Sequence, residues 1–150
     1  MNYIIDGYNL IGKINKISFS DQDKEEKLIA FLKNRITNPK DFFLIVFDNK
    51  KYLDALGGSY TQDQFLIKFP PCDQTADDYI IEYFVQIKKR PDYTIVSSDR
   101  VILTKAKEYY LKSLKSEEFL KTYQPLRKEL EKEDYQLNSY ELEYWLNKFT

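Results

Sequence analysis

Aspartates close the apolar runs of this sequence. Tyr3-Ile4-Ile5 runs into Asp6, Phe43–Phe47 into Asp48, and Thr94-Ile95-Val96-Ser97-Ser98 into Asp99. A fourth, Asp77, stands two residues after Thr75, where a helical pattern begins. Taken singly, an aspartate after a strand opens a turn. Gathered at one edge, two carboxylates about 5 Å apart repel by roughly 3 kcal/mol at an effective dielectric near 20. Such a group takes up protons or takes a cation. Mg²⁺ or Mn²⁺ on two or three carboxylates acidifies water and stabilises charge on a phosphodiester. That chemistry needs no histidine, and the chain has none. With Cys72 as the single cysteine, the usual zinc ligands are missing. The residue types therefore point to hard, oxygen-loving cations.

The elements around these residues alternate. Tyr3–Ile5 reads as a short buried strand. A helical stripe of Leu28, Phe31, Leu32 and Ile36 follows over 23–36 and ends at Asn38-Pro39. The continuous apolar run Phe42–Phe47 suits a strand covered on both faces. Gly57-Gly58 mark a loop, and Phe65–Phe69 is a third strand, stopped by Pro70-Pro71. Thr75 starts a helix of about a dozen residues with Ile80, Ile81, Phe84 and Val85 on its inner face. Tyr93–Val96 is a fourth strand, a helix covers 101–109, and Tyr110–Leu114 is a fifth, short strand. Beyond it the pattern is helical. Asn138 and Glu141 form a capping box, Leu137 and Leu142 a hydrophobic staple, and Trp145 and Phe149 face the body.

Strand and helix in alternation predict an α/β fold: a mostly parallel sheet of four to five strands with helices on both faces. Right-handed crossovers then bring the strands' carboxyl ends, and the aspartates that follow them, to one edge. Asp78, three residues after Thr75, fits a capping role, which leaves Asp77 for the site. Asn9 has two readings, stabilising the turn after Gly7 or orienting Asp6 or a water at the site.

The 150 residues suit a single domain. A net charge of −1 excludes a protein-wide basic field, so a polyanion would have to meet local patches. The lone cysteine, the lack of a long apolar run and the N-terminal pattern lead to an expected cytoplasmic location with no membrane contact.

The run Ile4-Ile5-Asp6-Gly7-Tyr8-Asn9-Leu10-Ile11 resembles the opening motif of NYN-domain proteins, especially the YacP-like bacterial family. Val46-Phe47-Asp48, Thr75-Ala76-Asp77 and Ser97-Ser98-Asp99-Arg100 resemble the family's later motifs in order and spacing. The resemblance implies one PIN-like three-layer α/β/α nuclease domain over 1–150, with a helical extension over about 120–150. It further implies divalent-metal binding and endonucleolytic cleavage of single-stranded RNA, with ribosome-associated messenger RNA as one target. Residue by residue it points to Asp6, Asn9, Asp48, Asp77 and Asp99, with Asp6, Asp77 and Asp99 on the metal.

Charge is uneven along the chain. Residues 100–128 hold eight Lys or Arg and three Glu, whereas 129–150 hold two Lys and six acids. Arg100, beside Asp99, is the first candidate for a phosphate contact, and Lys50 and Lys51, two and three residues after Asp48, are the next. Tyr8 is the candidate aromatic for stacking on an unpaired base. A non-catalytic RNA- or ribosome-binding module on the same fold is the main alternative. A receiver-type phosphoryl-transfer domain is disfavoured, since there is no Gly-rich phosphate loop and no acidic doublet after the first strand. A toxin nuclease with an antitoxin partner is the remaining reading.

Overall fold

Ile4 and Ile5 are both fully buried, yet they face opposite sides of one sheet. This is why the first strand reads as continuously apolar rather than alternating. A computed structural model describes residues 1–49 and 55–123. Its sheet is built from β1 (Asn2–Asp6), β2 (Phe42–Val46), β3 (Gly58–Gln62), β4 (Phe65–Phe69), β5 (Tyr93–Val96) and β6 (Lys112–Leu114). Their spatial order is β3-β4-β2-β1-β5-β6. All neighbours are parallel except the β3–β4 hairpin. The helices are α1 (Gly7–Ile11), α2 (Lys24–Lys33), α3 (Ala76–Val85), α4 (Arg100–Glu108) and α5 (Ser116–Thr122).

The two faces of the sheet bury separate sets of side chains. Ile5, Phe43, Ile45, Phe47 and Phe65 join Leu10, Leu28, Leu32 and Phe119 from α1, α2 and α5. Ile4, Leu44, Val46 and Ile95 join Ile80 and Phe84 from α3 and Ile102 and Ala106 from α4. The first face carries an aromatic ladder across three strands. Tyr3 stacks on Phe43 at 5.1 Å and Phe43 on Phe65 at 5.3 Å, following the strand register. Edge contacts from Phe119 and Tyr123 close it, and the Tyr123 hydroxyl donates to Asp41 at 2.9 Å. This ties α5 across the sheet beside the start of β2.

The α/β, mostly parallel sheet agrees with the sequence pattern, and the sheet has one strand more than expected. Gly58, assigned to a loop, begins β3. Most of this strand is exposed at the sheet edge, so its Ser59-Tyr60-Thr61-Gln62 run carries no apolar alternation to read. The fifth expected strand starts at Lys112 rather than Tyr110, because Tyr110 lies at φ +59° and ends α4 instead. The short α1 was also missed, since five residues cannot display a helical period. The expected helices beyond residue 123 lie outside the described residues. Among the described residues, no helix is long and apolar enough to cross a membrane.

Gly7 sets how closely α1 follows β1. A Cβ on Gly7 would run into the ring of Phe47, which is fully buried and packs on Tyr8 and Phe69. Gly7→Ala is therefore expected to destabilise the fold by about 1–3 kcal/mol through overpacking. Urea denaturation checks this; an unchanged midpoint would show that the Phe47 ring yields freely.

Candidate metal centre

β1 lies at the middle of the sheet, so its carboxyl end is flanked by the ends of β2 and β5. Asp6 ends β1, Asp48 follows β2, and Asp99 follows β5. Asp77 enters the same region from the first turn of α3. Three strands and a helix start thus converge on a single edge, as parallel crossovers require.

Asp6 is 8% exposed. Its carboxyl is pushed up to about 7, first by burial and then by the charges of Asp77, Asp48 and Asp99. A hydrogen bond donated by the Ser97 hydroxyl to Asp6 Oδ2 at 3.1 Å opposes the shift without reversing it. The Asp77 carboxyl is also raised, by burial, then by Asp99, Asp48 and Asp78, and by a side-chain hydrogen bond with Asp99. Four carboxylates from distant parts of the chain therefore share one electrostatic field.

Two of them also hold helix ends. Asp48 Oδ1 accepts the Ala76 N–H at 2.6 Å, at the start of α3. Asp99 Oδ1 accepts the N–H groups of Val101 and Ile102 at 2.8 and 3.3 Å and caps α4. The α3 cap itself is Thr75, whose hydroxyl accepts the Asp78 N–H at 3.1 Å. This agrees with a capping place for Asp78. The helix-end bonds of Asp48 and Asp99 and the Ser97 bond of Asp6 each engage one carboxylate oxygen, and Asp99 also bonds Asp77. The donor set is all hard oxygen, partly buried and mutually repelling, which fits a divalent cation such as Mg²⁺ or Mn²⁺. Among the described residues, no three or more candidate ligand side chains already stand in metal-holding geometry. The cluster is an open field of charge rather than a closed cage.

The Asn9 side chain reaches across to the end of β5 and the start of α5. Its Oδ1 accepts the Ser98 N–H at 2.9 Å and the Ser116 hydroxyl at 2.7 Å. It thus brackets the end of β5 to the start of α5. Sequence reasoning passed over the serines that complete this bracket. Ser97 donates its hydroxyl to Asp6 and accepts the Asp99 N–H at 3.0 Å, joining two acids directly. The Ser98 hydroxyl donates to Glu117, whose carboxylate pairs with Lys13 at 2.9 Å. The available signal was the Ser97-Ser98 doublet, two small hydroxyls between a buried strand and an acid.

Tyr8 is half-buried rather than an open stacking face. Its hydroxyl donates to Glu25 at 2.7 Å, its ring rests on Phe47 at 5.0 Å, and the Lys24 ammonium lies 5.5 Å from its centroid. Arg100 is exposed on the first turn of α4. Lys50 and Lys51 lie outside the described residues.

The family model of the YacP-like NYN domain matches residues 3–148. The chain belongs to the YacP-like NYN family. Its fold is similar to the crystal structure of Rae1 (YacP) from Bacillus subtilis, with a TM-score of 0.62 at 18% identity, over 82% of this chain and 73% of that one. A point mutant of the same Bacillus subtilis protein gives a TM-score of 0.64 at 17% identity, over 81% and 74%. No curated protein matches the chain. YacP-like NYN domains are nuclease-like and associated with RNA, and NYN/PIN-like nucleases generally use divalent metals.

The raised Asp6 carboxyl has a signed consequence for stability. An unfolded aspartate releases its proton near 3.8, whereas folded Asp6 keeps it to about 7. Between these values the folded state binds more protons, so its stability falls as pH rises across that window. In EDTA at pH 8, Asp6→Asn is expected to be more stable than the parent, by up to the order of 4 kcal/mol. The gain should vanish below pH 4. Denaturant midpoints across pH test this; a variant less stable than the parent at pH 8 contradicts the repulsion.

Proposed function

We propose that this YacP-like NYN protein is a divalent-metal-dependent endoribonuclease that hydrolyses phosphodiester bonds of single-stranded RNA, messenger RNA included. The observation that carries the reading is the convergence of Asp6, Asp48, Asp77 and Asp99 on one edge of the sheet, with Asp6 buried there. A buried carboxylate kept among three others is unfavourable unless a cation offsets it. Such perturbed groups concentrate at functional sites.

In this reading Asp6, Asp77 and Asp99 hold Mg²⁺ or Mn²⁺. When bound, the ion supplies charge stabilisation on the phosphodiester and acidifies water. The chain's own residues set the geometry. Ser97 fixes the Asp6 carboxyl by its hydrogen bond. Asp48 and Asp99 anchor the first turns of α3 and α4, so the helix carrying Asp77 keeps its place against β1. Asn9 holds the loop that carries Ser97 and Asp99. Arg100, one residue beyond Asp99 in sequence, would meet a phosphate, and Lys50 and Lys51, two and three residues after Asp48 in sequence, would add to that role. Water adds to phosphorus and one P–O ester bond breaks, leaving a phosphate end and a hydroxyl end. The reaction belongs in the cytoplasm, where such RNA is found.

A non-catalytic RNA- or ribosome-binding module remains the second reading. It is favoured by one observation, that Asp48 and Asp99 already serve as helix anchors.

The two readings separate in one assay. Labelled single-stranded RNA incubated with the protein and Mn²⁺ is expected to be cut, and EDTA to stop it. Asp77→Asn and Asp6→Asn should each lower the rate by roughly 100-fold or more, the scale on which loss of one charge-stabilising group acts. Circular dichroism should show both variants folded. Full activity in either folded variant would remove that residue from the metal site, and RNA binding without cleavage would favour the second reading.

A further inference from the structure

Among the described residues, the most exposed of the large hydrophobic side chains is Tyr110, at 88%. It also occupies the left-handed region, at φ +59°, immediately after α4. Its N–H donates to Lys107 O at 3.1 Å, and the Leu111 N–H donates to Ala106 O at 2.9 Å. This is the helix-ending arrangement in which glycine is the favoured residue, because a Cβ is strained there. A tyrosine at this point gains no burial in exchange for that strain. Strain of this kind is an observation from which function is inferred.

Tyr110 lines an open groove of about 590 Å³ between α4 and the β6–α5 connection. Lys107 and Lys115 line it too, both exposed and neither in an ion pair among the described residues. Glu118 is the acid on the wall, and its Oε1 accepts the Lys115 N–H at 3.0 Å. Leu103 and Leu111 supply apolar floor. One end of the groove, at Lys115, follows the carboxyl end of β6, which pairs beside Val96 on the edge that carries Asp99. The other end, at Tyr110, lies just past the far end of α4, whose 9 residues span about 14 Å. Cations beside an unpaired aromatic platform are the chemistry that receives single-stranded nucleic acid.

We propose that Tyr110 stacks on a nucleobase of the RNA strand flanking the cleaved bond, while Lys107 and Lys115 meet its phosphates. This rests on the reading of RNA as substrate, and it assigns the strand a path along α4 away from the acidic edge. Tyr110 is thus a stacking candidate distinct from Tyr8, whose hydroxyl donates to Glu25 and whose ring rests on Phe47.

The test measures the affinity of the full chain for a fluorescein-labelled oligouridylate by anisotropy, in EDTA at low salt. Tyr110→Gly is expected to weaken binding about tenfold, as loss of one stacked base does. Its melting temperature should equal or exceed the parent's, which a merely structural tyrosine would not allow. Tyr110→Phe should restore affinity to within twofold. The Lys107→Ala, Lys115→Ala double variant should flatten the dependence of affinity on salt. Binding by Tyr110→Gly within twofold of the parent, or no rescue by phenylalanine, overturns the proposal. Cleavage of the same RNA with Mn²⁺ is read separately. Intact cleavage with Tyr110-independent binding overturns the groove alone, whereas Tyr110-dependent binding without cleavage overturns catalysis alone.

Discussion

Mutual repulsion among Asp6, Asp48, Asp77 and Asp99 is the constraint on which the rest of this molecule depends. Burial of Asp6 at the end of the central strand makes that repulsion strong, because water is not there to screen it. Much of the surrounding structure works against it. Ser97 donates to Asp6, Asp48 is bonded to the first N–H of α3, and Asp99 is bonded to the first N–H groups of α4. Three of the four acids are thereby held by a donor from a separate residue, and Asp77 is bonded to Asp99 instead. The two helix starts add favourable partial positive charge.

The same bonds give the fold its junctions. Asp48 links β2 to α3, Ser97 links β5 to β1, and Asn9 links α1 to β5 and α5. The acidic edge is therefore also where the layers are fastened together. The opposite requirement, apolar cover, is met on the two sheet faces by separate side-chain sets. A cation at the edge would relieve the repulsion without disturbing those faces, since the anchoring bonds use only one oxygen of Asp6, Asp48 and Asp99.

The sequence carried the parts of this picture that have a strong local signature. Phe42–Phe47 announced a strand covered on both sides, and Thr75 a helix start with a side-chain cap, because burial and capping leave patterns in neighbouring residues. The convergence of four acids followed from parallel topology alone. What the sequence did not carry lacks such a pattern. β3 is polar and at an edge, α1 is shorter than two turns, and the bracket of Asn9, Ser98 and Ser116 joins residues about a hundred positions apart. Tyr8 and Tyr110 are indistinguishable by type. Only packing separates the one held against Phe47 and Glu25 from the one that stands in solvent.

The central claim is that these carboxylates form one cation site. Titration calorimetry of Mn²⁺ into the full chain without RNA tests it most directly. The account predicts saturable binding by the parent and affinity at least about tenfold weaker for Asp77→Asn. No saturable binding, or equal affinity in the two proteins, would contradict it.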